Sequence, residues 1–240
     1  EAYDIYGCEA PRVNRLQMDG EVSYLITYTA LSAPAHSGLD RVALASTEDF
    51  RTYTKHGVVI PGLNDKDTVI FPELINGQIV MLHRVAPNVQ IVYFDDFEQL
   101  IHPDESFWRR YRASLEEFTI MRPRFEWEAK KIGAGCPPIK TKEGWLVIYH
   151  ARDAQAVYRA GVVLLDLDDP DRVNARSPYP ILEPEAEYER IGDVNNVVFP
   201  QGAVVEDDRL YVYYGAADKR CCLATARLDE FIAFVTQSKE

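Results

Sequence analysis

A chain of 240 residues with 47% hydrophobic content has enough apolar side chain for a packed core, as one large domain or two small ones. Its 38 acidic residues outnumber 26 basic ones, and the net charge of −12 is scattered along the sequence, which argues against an electrostatic grip on nucleic acid or an anionic membrane. No apolar run reaches the length of a membrane span and no basic-then-apolar leader opens the chain, so a cytoplasmic protein without membrane partners is expected.

In chain order, the first segment, APRVNRLQMDGEVSYLITYTA (10–30), reads as two strands about a Gly turn, and RVALASTEDF (41–50) as a third. The second copy reads FPELINGQIVMLHR (71–84), then VQIVYFDDF (89–97). FWRRYRASLEEF (107–118) then breaks the pattern as a helix or insertion. The third copy is CPPIKTKEGWLVIYHA (136–151), then YRAGVVLLDLDDP (158–170), and the fourth is FPQGAVVEDDRLYVYYGAAD (199–218), then CCLATARLDEF (221–231), with a short helix expected over 229–237. The anchoring prolines, Pro11, Pro72, Pro138 and Pro200, recur at intervals of 61, 66 and 62 residues. So regular a period implies equivalent antiparallel meanders, each opened by a proline where a strand start loses no ladder bond.

An all-β, single-domain propeller over 1–240 follows, with repeats near 5–60, 61–125, 126–190 and 191–240. Four copies either close as a four-bladed ring or belong to a larger propeller lacking a blade. Cys8, Cys136, Cys221 and Cys222 make no metal-binding or disulfide spacing, so free thiols and no metal site are expected.

Ligands of propellers sit where equivalent inner-strand ends converge, so the repeat alignment nominates the site. Glu9, Arg12, Lys66, Asp67, Lys131, Asn195 and Asn196 flank the anchoring strands, and His83, Arg84, His150, Tyr158 and Asp218 lie at strand ends. Such a cationic cluster in an acidic chain suits a local anion site. Blander readings stand beside it: a Glu9–Arg12 ion pair, and strand histidines satisfied within the fold. Trp127 and Trp145 suit either sugar stacking or blade packing. No P-loop, GxGxxG or HExxH pattern occurs.

The strings KIGAGCPPIKTKEGWLVIYHA, YRAGVVLLDLDDP, GDVNNVVFPQGAVVEDDRLYVYYGAAD and KDTVIFPELINGQIVMLHR together resemble glycoside hydrolase family 130, the β-mannoside phosphorylases and related β-mannosidases, from about residue 5 to about residue 231. The resemblance implies a five-bladed β-propeller, here lacking much of the first blade. It implies inverting phosphorolysis of β-mannosides, manno-oligosaccharides or mannosyl-glucose, to α-mannose 1-phosphate. Inorganic phosphate is then a co-substrate, no further cofactor is needed, and a homo-oligomer is expected. The family's general-acid aspartate lies in a Glu-Asp-Pro-Arg motif, and this chain reads GCEAPRV, with Ala10 at that position. An alanine cannot donate a proton, so the chain is expected to be inactive. Phosphate binding maps onto Arg84, Lys131, His150 and Tyr158, with Lys66 a looser match; sugar binding maps onto Asp218, Asp67, Arg12 and Asn196. Two other functions stay open. A β-mannoside hydrolase would use a second carboxylate such as Glu126 or Glu128 to activate water, and a non-catalytic carbohydrate-binding propeller would need no acid. Linkage preference would lie in loops such as 31–40 and 99–124.

Overall fold

The computed structural model describes residues 3–18, 21–33, 40–102 and 104–237. Of the two loops expected to carry linkage preference, residues 34–39 of 31–40 and residue 103 of 99–124 lie outside the described residues. The chain divides into two compact units, Glu1–Met121 and Arg122–Glu240.

The first unit holds two four-stranded antiparallel meanders. One is β1 (Cys8–Met18), β2 (Glu21–Leu31), β3 (Asp40–Thr47) and β4 (Thr54–Val58). The other is β5 (Lys66–Ile70), β6 (Ile79–Arg84), β7 (Val89–Phe94) and β8 (Thr119–Met121). Every side chain of β6 is buried, which fits its near-continuous apolar sequence between covered faces. The Asn76–Gly77 dipeptide, with both φ positive, makes the tight turn that leads into β6. Helices α1 (Phe97–Ile101) and α2 (Glu105–Ala113) interrupt the second meander. Asp104 caps α2 by accepting from the Ser106 N–H, and its Trp108 and Tyr111 are buried. The core of this unit runs through Leu16, Leu44, Ile70, Met81, Phe94 and Trp108.

The second unit holds a five-stranded sheet of β9 (Lys131–Ala134), β10 (Ile139–Lys140), β11 (Trp145–Arg152), β12 (Tyr158–Leu165) and β13 (Val173–Arg176). After the short helix α3 (Glu187–Arg190) comes a three-stranded meander of β14 (Val198–Glu206), β15 (Arg209–Ala216) and β16 (Arg220–Arg227), closed by α4 (Leu228–Gln237). Its core gathers Leu146, Ile148, Val162, Leu164, Leu210 and Val235. β11 is buried along almost its whole length, whereas β15 alternates buried Leu210, Val212 and Tyr214 with more exposed residues, leaving one face wet.

The prolines do not all open strands. Pro11 and Pro200 lie inside β1 and β14, where the register slips between Glu9 and Arg12 and between Pro200 and Gly202, and Pro72 follows the end of β5. At Pro11 the physical reason is unchanged, because the bulge leaves that residue outside the ladder and spares the missing N–H, whereas Pro200 keeps Tyr214 as its partner and the residue left out is Gln201. The four cysteines are free thiols. No helix among the described residues is long and apolar enough to cross a membrane.

Candidate functional site

In the first unit, two bulges shape the site. The slips at Glu9/Arg12 in β1 and Lys66/Val69 in β5 place Ala10 and Asp67 in the left-handed region, at φ 49° and 57°. Bulges turn neighbouring side chains out of the regular alternation. Here they bring Arg12, Asp67 and Arg84 together: Arg12 Nη2 lies 3.4 Å from Asp67 Oδ1, and Arg84 Nε lies 3.0 Å from Asp67 Oδ2. Arg12 Nη1 also donates to the Ala10 carbonyl at 2.5 Å. Each of the three side chains is at most 5% exposed, so two guanidinium groups share one carboxylate away from water. A buried charge needs a partner. Arg84 Nη1 is buried and accepts no such help, having no hydrogen-bond partner among the described residues.

Lys66 turns elsewhere. Its Nζ sits 2.9 Å from Asp40 Oδ2 and 3.9 Å from Glu9 Oε2, so two carboxylates already face this cation, and Glu9 approaches Lys66 as well as flanking Pro11. His83 is a satisfied strand histidine, bonded at Nδ1 to Asp65 and at Nε2 to Tyr111. A cavity of about 370 Å³ in this unit, lined in part by Gln78, Asp95, Phe107 and Tyr111, contains none of the residues nominated from sequence.

In the second unit, the ladder sets Lys131 and Tyr158 on either side of Arg152, their shared partner in β11. Lys131 Nζ lies 5.4 Å and the Arg152 guanidinium carbon 5.8 Å from the Tyr158 ring centre, so two cations lie against one aromatic ring. The buried His150 ring stands 6.2 Å from Tyr158 and 4.2 Å from Phe199. Tyr158 N–H donates to the Asn196 carbonyl, and Ala217 N–H to the Val197 carbonyl, which ties the Asn196 and Asp218 corners to the same strand ends. Both corner residues are left-handed, at φ 58° and 51°. Burial first, and then the Asp193 carboxylate, raise the Asp218 carboxyl above the ordinary aspartate value.

Lys131, His150, Tyr158, Asn196 and Asp218 are thus grouped within one unit, and Arg12, Asp67, Arg84 and Ala10 within the other. Sequence reasoning missed Arg152, two positions after His150, and Phe199, immediately before Pro200. It also missed Asp65, which has no periodic signal. Trp127 and Trp145 serve packing: the Trp127 ring stacks 6.0 Å from Tyr149 and its N–H donates to the Pro178 carbonyl, while Trp145 donates to Leu167. Glu128 is fully buried, accepting from Tyr149 O–H at 2.6 Å, from Arg176 at 2.7 Å and from the Arg124 and Phe125 N–H groups. With its oxygens committed, it is poorly placed to activate water.

Known proteins resemble the chain along its length. It is 41% identical over 215 residues to a 1,2-β-oligomannan phosphorylase of Thermoanaerobacter sp. (strain X514), covering 90% of this chain and 66% of that protein. It is 36% identical over 230 residues to a β-1,2-mannobiose phosphorylase of Listeria innocua, covering 96% and 60%. The solved structure of a β-1,2-mannobiose phosphorylase from Listeria innocua, in complex with β-1,2-mannobiose, superposes with a TM-score of 0.81 at 31% identity, covering 98% of this chain and 62% of that one. The chain spans just under two thirds or less of the length of these relatives. A family model described as β-1,4-mannooligosaccharide phosphorylase matches residues 1–237. With its four β-meanders, its grouped cations and a family match from end to end, the chain belongs to glycoside hydrolase family 130.

Proposed function

We propose that the chain carries the substrate-binding apparatus of an inverting β-mannoside phosphorylase and lacks its general acid. The observation that carries this reading is Arg84: a buried guanidinium shares one carboxylate with Arg12 and leaves Nη1 without a hydrogen-bond partner among the described residues. A buried guanidinium with an unmet N–H donor is completed by an anion, and inorganic phosphate offers several strong acceptors to arginine. Arg84, Lys131, His150 and Tyr158 bind phosphate in this reading, with Lys66 contributing less because Asp40 and Glu9 compete for it. Asp67, Arg12, Asn196 and Asp218 accept from or donate to sugar hydroxyls.

In the reaction, a phosphate oxygen attacks the anomeric carbon of mannose as the glycosidic C1–O bond breaks, and configuration inverts. The leaving oxygen needs a proton. Ala10 cannot supply one, so the chain binds its ligands and turns them over slowly. A hydrolase would need a carboxylate to activate water instead. The commitment of Glu128 to Arg176 and Tyr149 weighs against that alternative.

The same reading takes the sheets as blades of a five-bladed propeller. Its support is the wet face of the last meander, where Val204, Tyr213 and Leu223 share one side and are 50%, 50% and 48% exposed. An apolar face of that kind suits cover by another sheet.

Two relatives at 41% identity act on β-1,2-linked mannose by name, so β-1,2-mannobiose is the first substrate to try, followed by the β-1,4-linked form. Calorimetric titration with inorganic phosphate should show saturable binding that Arg84→Ala weakens at least about tenfold, the loss expected for one charged hydrogen-bonding partner. Ala10→Asp should raise release of mannose 1-phosphate by about a hundredfold to ten-thousandfold. Mannoside binding indifferent to phosphate would replace this reading with a carbohydrate-binding module.

A further inference from the structure

We infer that His83, acting with Asp65 and Tyr111, is a positioning residue for Arg84. The inference rests on the reading of Arg84 as an anion-binding residue, and extends it to three side chains that touch no substrate.

His83 and Arg84 are neighbours at the end of β6, so the strand sends them to opposite faces. Arg84 joins Asp67 and Arg12, and His83 enters the core, where it is fully buried. There Asp65 Oδ2 lies 2.5 Å from His83 Nδ1, while Asp65 Oδ1 accepts the backbone N–H of Arg84 at 2.9 Å. One carboxylate therefore grips two successive residues of β6, one through its side chain and one through its backbone. On the far side, His83 Nε2 is 2.6 Å from the Tyr111 hydroxyl, which also reaches the Ile91 carbonyl at 2.9 Å. The imidazole is thus held at both ends and cannot turn without breaking a bond.

Asp65 is also the residue before Lys66, which pairs across the ladder with Arg84, and its own N–H donates to the Asp40 carbonyl. The bulge that sets Asp67 begins just beyond it, between Lys66 and Val69. Bulges loosen the local ladder, so a side-chain clamp at its mouth fixes what the backbone alone would leave adjustable. The distance from Asp67 to Arg84, and with it the direction of Nη1, which has no hydrogen-bond partner among the described residues, is set by how Asp65 ties β5 to β6.

Arginine side-chain N–H exchange, followed by nuclear magnetic resonance, reads this geometry without any ligand. In His83→Leu the Arg84 Nε–H should exchange at least about tenfold faster relative to that of Arg12, and phosphate should bind about tenfold to a hundredfold more weakly, as small misplacements of a binding group do. His83→Asn keeps a donor toward Asp65 and should restore most of both. A purely structural role predicts instead that Arg12 and Arg84 speed up together as global stability falls. Should His83→Leu fail to fold, Tyr111→Phe removes one hydroxyl and should still raise the ratio at least about twofold. An unchanged ratio in a folded variant overturns the inference. If the unaltered chain does not bind phosphate, the anion reading falls, and the exchange ratio still decides whether the clamp positions Arg84.

Discussion

Ala10 holds a left-handed backbone, at φ 49°, that costs an ordinary L-residue about 1–2 kcal/mol and is best tolerated by glycine, asparagine and aspartate. The same conformation recurs at Asp67, Asn196 and Asp218, residue types that accept it. Ala10→Asp should therefore be at least neutral for stability, and Ala10→Gly should raise the unfolding free energy by about 1 kcal/mol in urea titration. A destabilised Ala10→Gly variant would mean that the corner is held by more than its own backbone preference. Asp218 makes a second prediction at this scale. Its carboxyl binds a proton more tightly in the folded state than in the unfolded one, so its contribution to stability is present at acid pH and is lost as pH rises through the raised folded value. Asp193→Asn should bring the Asp218 titration, followed by carboxyl carbon resonances, back toward the ordinary range, and an unmoved titration would leave burial as its whole cause. Among single residues, the repeat alignment exposed those at strand mouths, because a bulge lies near Pro11, Pro72 and Pro200 and the break between β9 and β10 lies at Pro138. It could not expose Asp65 and His83, whose importance comes from bonds made sideways to one carboxylate, nor Arg152, which matters only because β11 sets it opposite both Lys131 and Tyr158.

At the scale of elements, the segment that leads into β9 is fastened by Glu128. Its carboxylate meets Arg176 on β13 and Tyr149 on β11, and the Arg176 guanidinium lies 5.1 Å from the Tyr149 ring centre and 5.7 Å from that of Phe125. Burial, with the Glu128 carboxylate beside it, keeps the Tyr149 phenol protonated and donating. Glu128→Ala leaves Arg176 uncompensated in a largely buried place and should cost about 3–5 kcal/mol, read from denaturant unfolding. Gly161 on β12 makes room for the same stack: a Cβ there would stand 2.4 Å from Tyr149 and 2.6 Å from Trp127. Gly161→Ala should therefore cost about 1–3 kcal/mol through overpacking. The longer strands were legible, since β-branched and aromatic runs bounded by Asn-Gly, Asp-Asp and Gly turns stand out, whereas the short strands β4, β5, β8, β9 and β13 fall outside the segments read as strands from the sequence. The register slips were not, because one extra residue shifts the in–out alternation over too short a stretch to be told from an irregular strand end.

For the whole molecule, charge and composition named no partner, and the motifs, read together, named the family. The blade count proposed above makes a prediction about one surface. Val204, Tyr213 and Leu223 lie exposed on one face, so Leu223→Lys should leave the stability of this chain within about 0.5 kcal/mol of the original while reducing self-association in light scattering. A large loss of stability would show that the face is already covered in solution.

The division at Met121 has a consequence for synthesis. The cluster of Leu16, Leu44, Ile70, Phe94 and Trp108 is drawn wholly from the first half, and its strands pair in meanders with their neighbours along the chain. Short-range pairing of this kind closes quickly, and domains fold as they leave the ribosome. The first unit, with Arg12, Asp67 and Arg84 already assembled, is expected to be complete while the second is still being translated. A nascent chain arrested well past Met121 should show it as early resistance to protease.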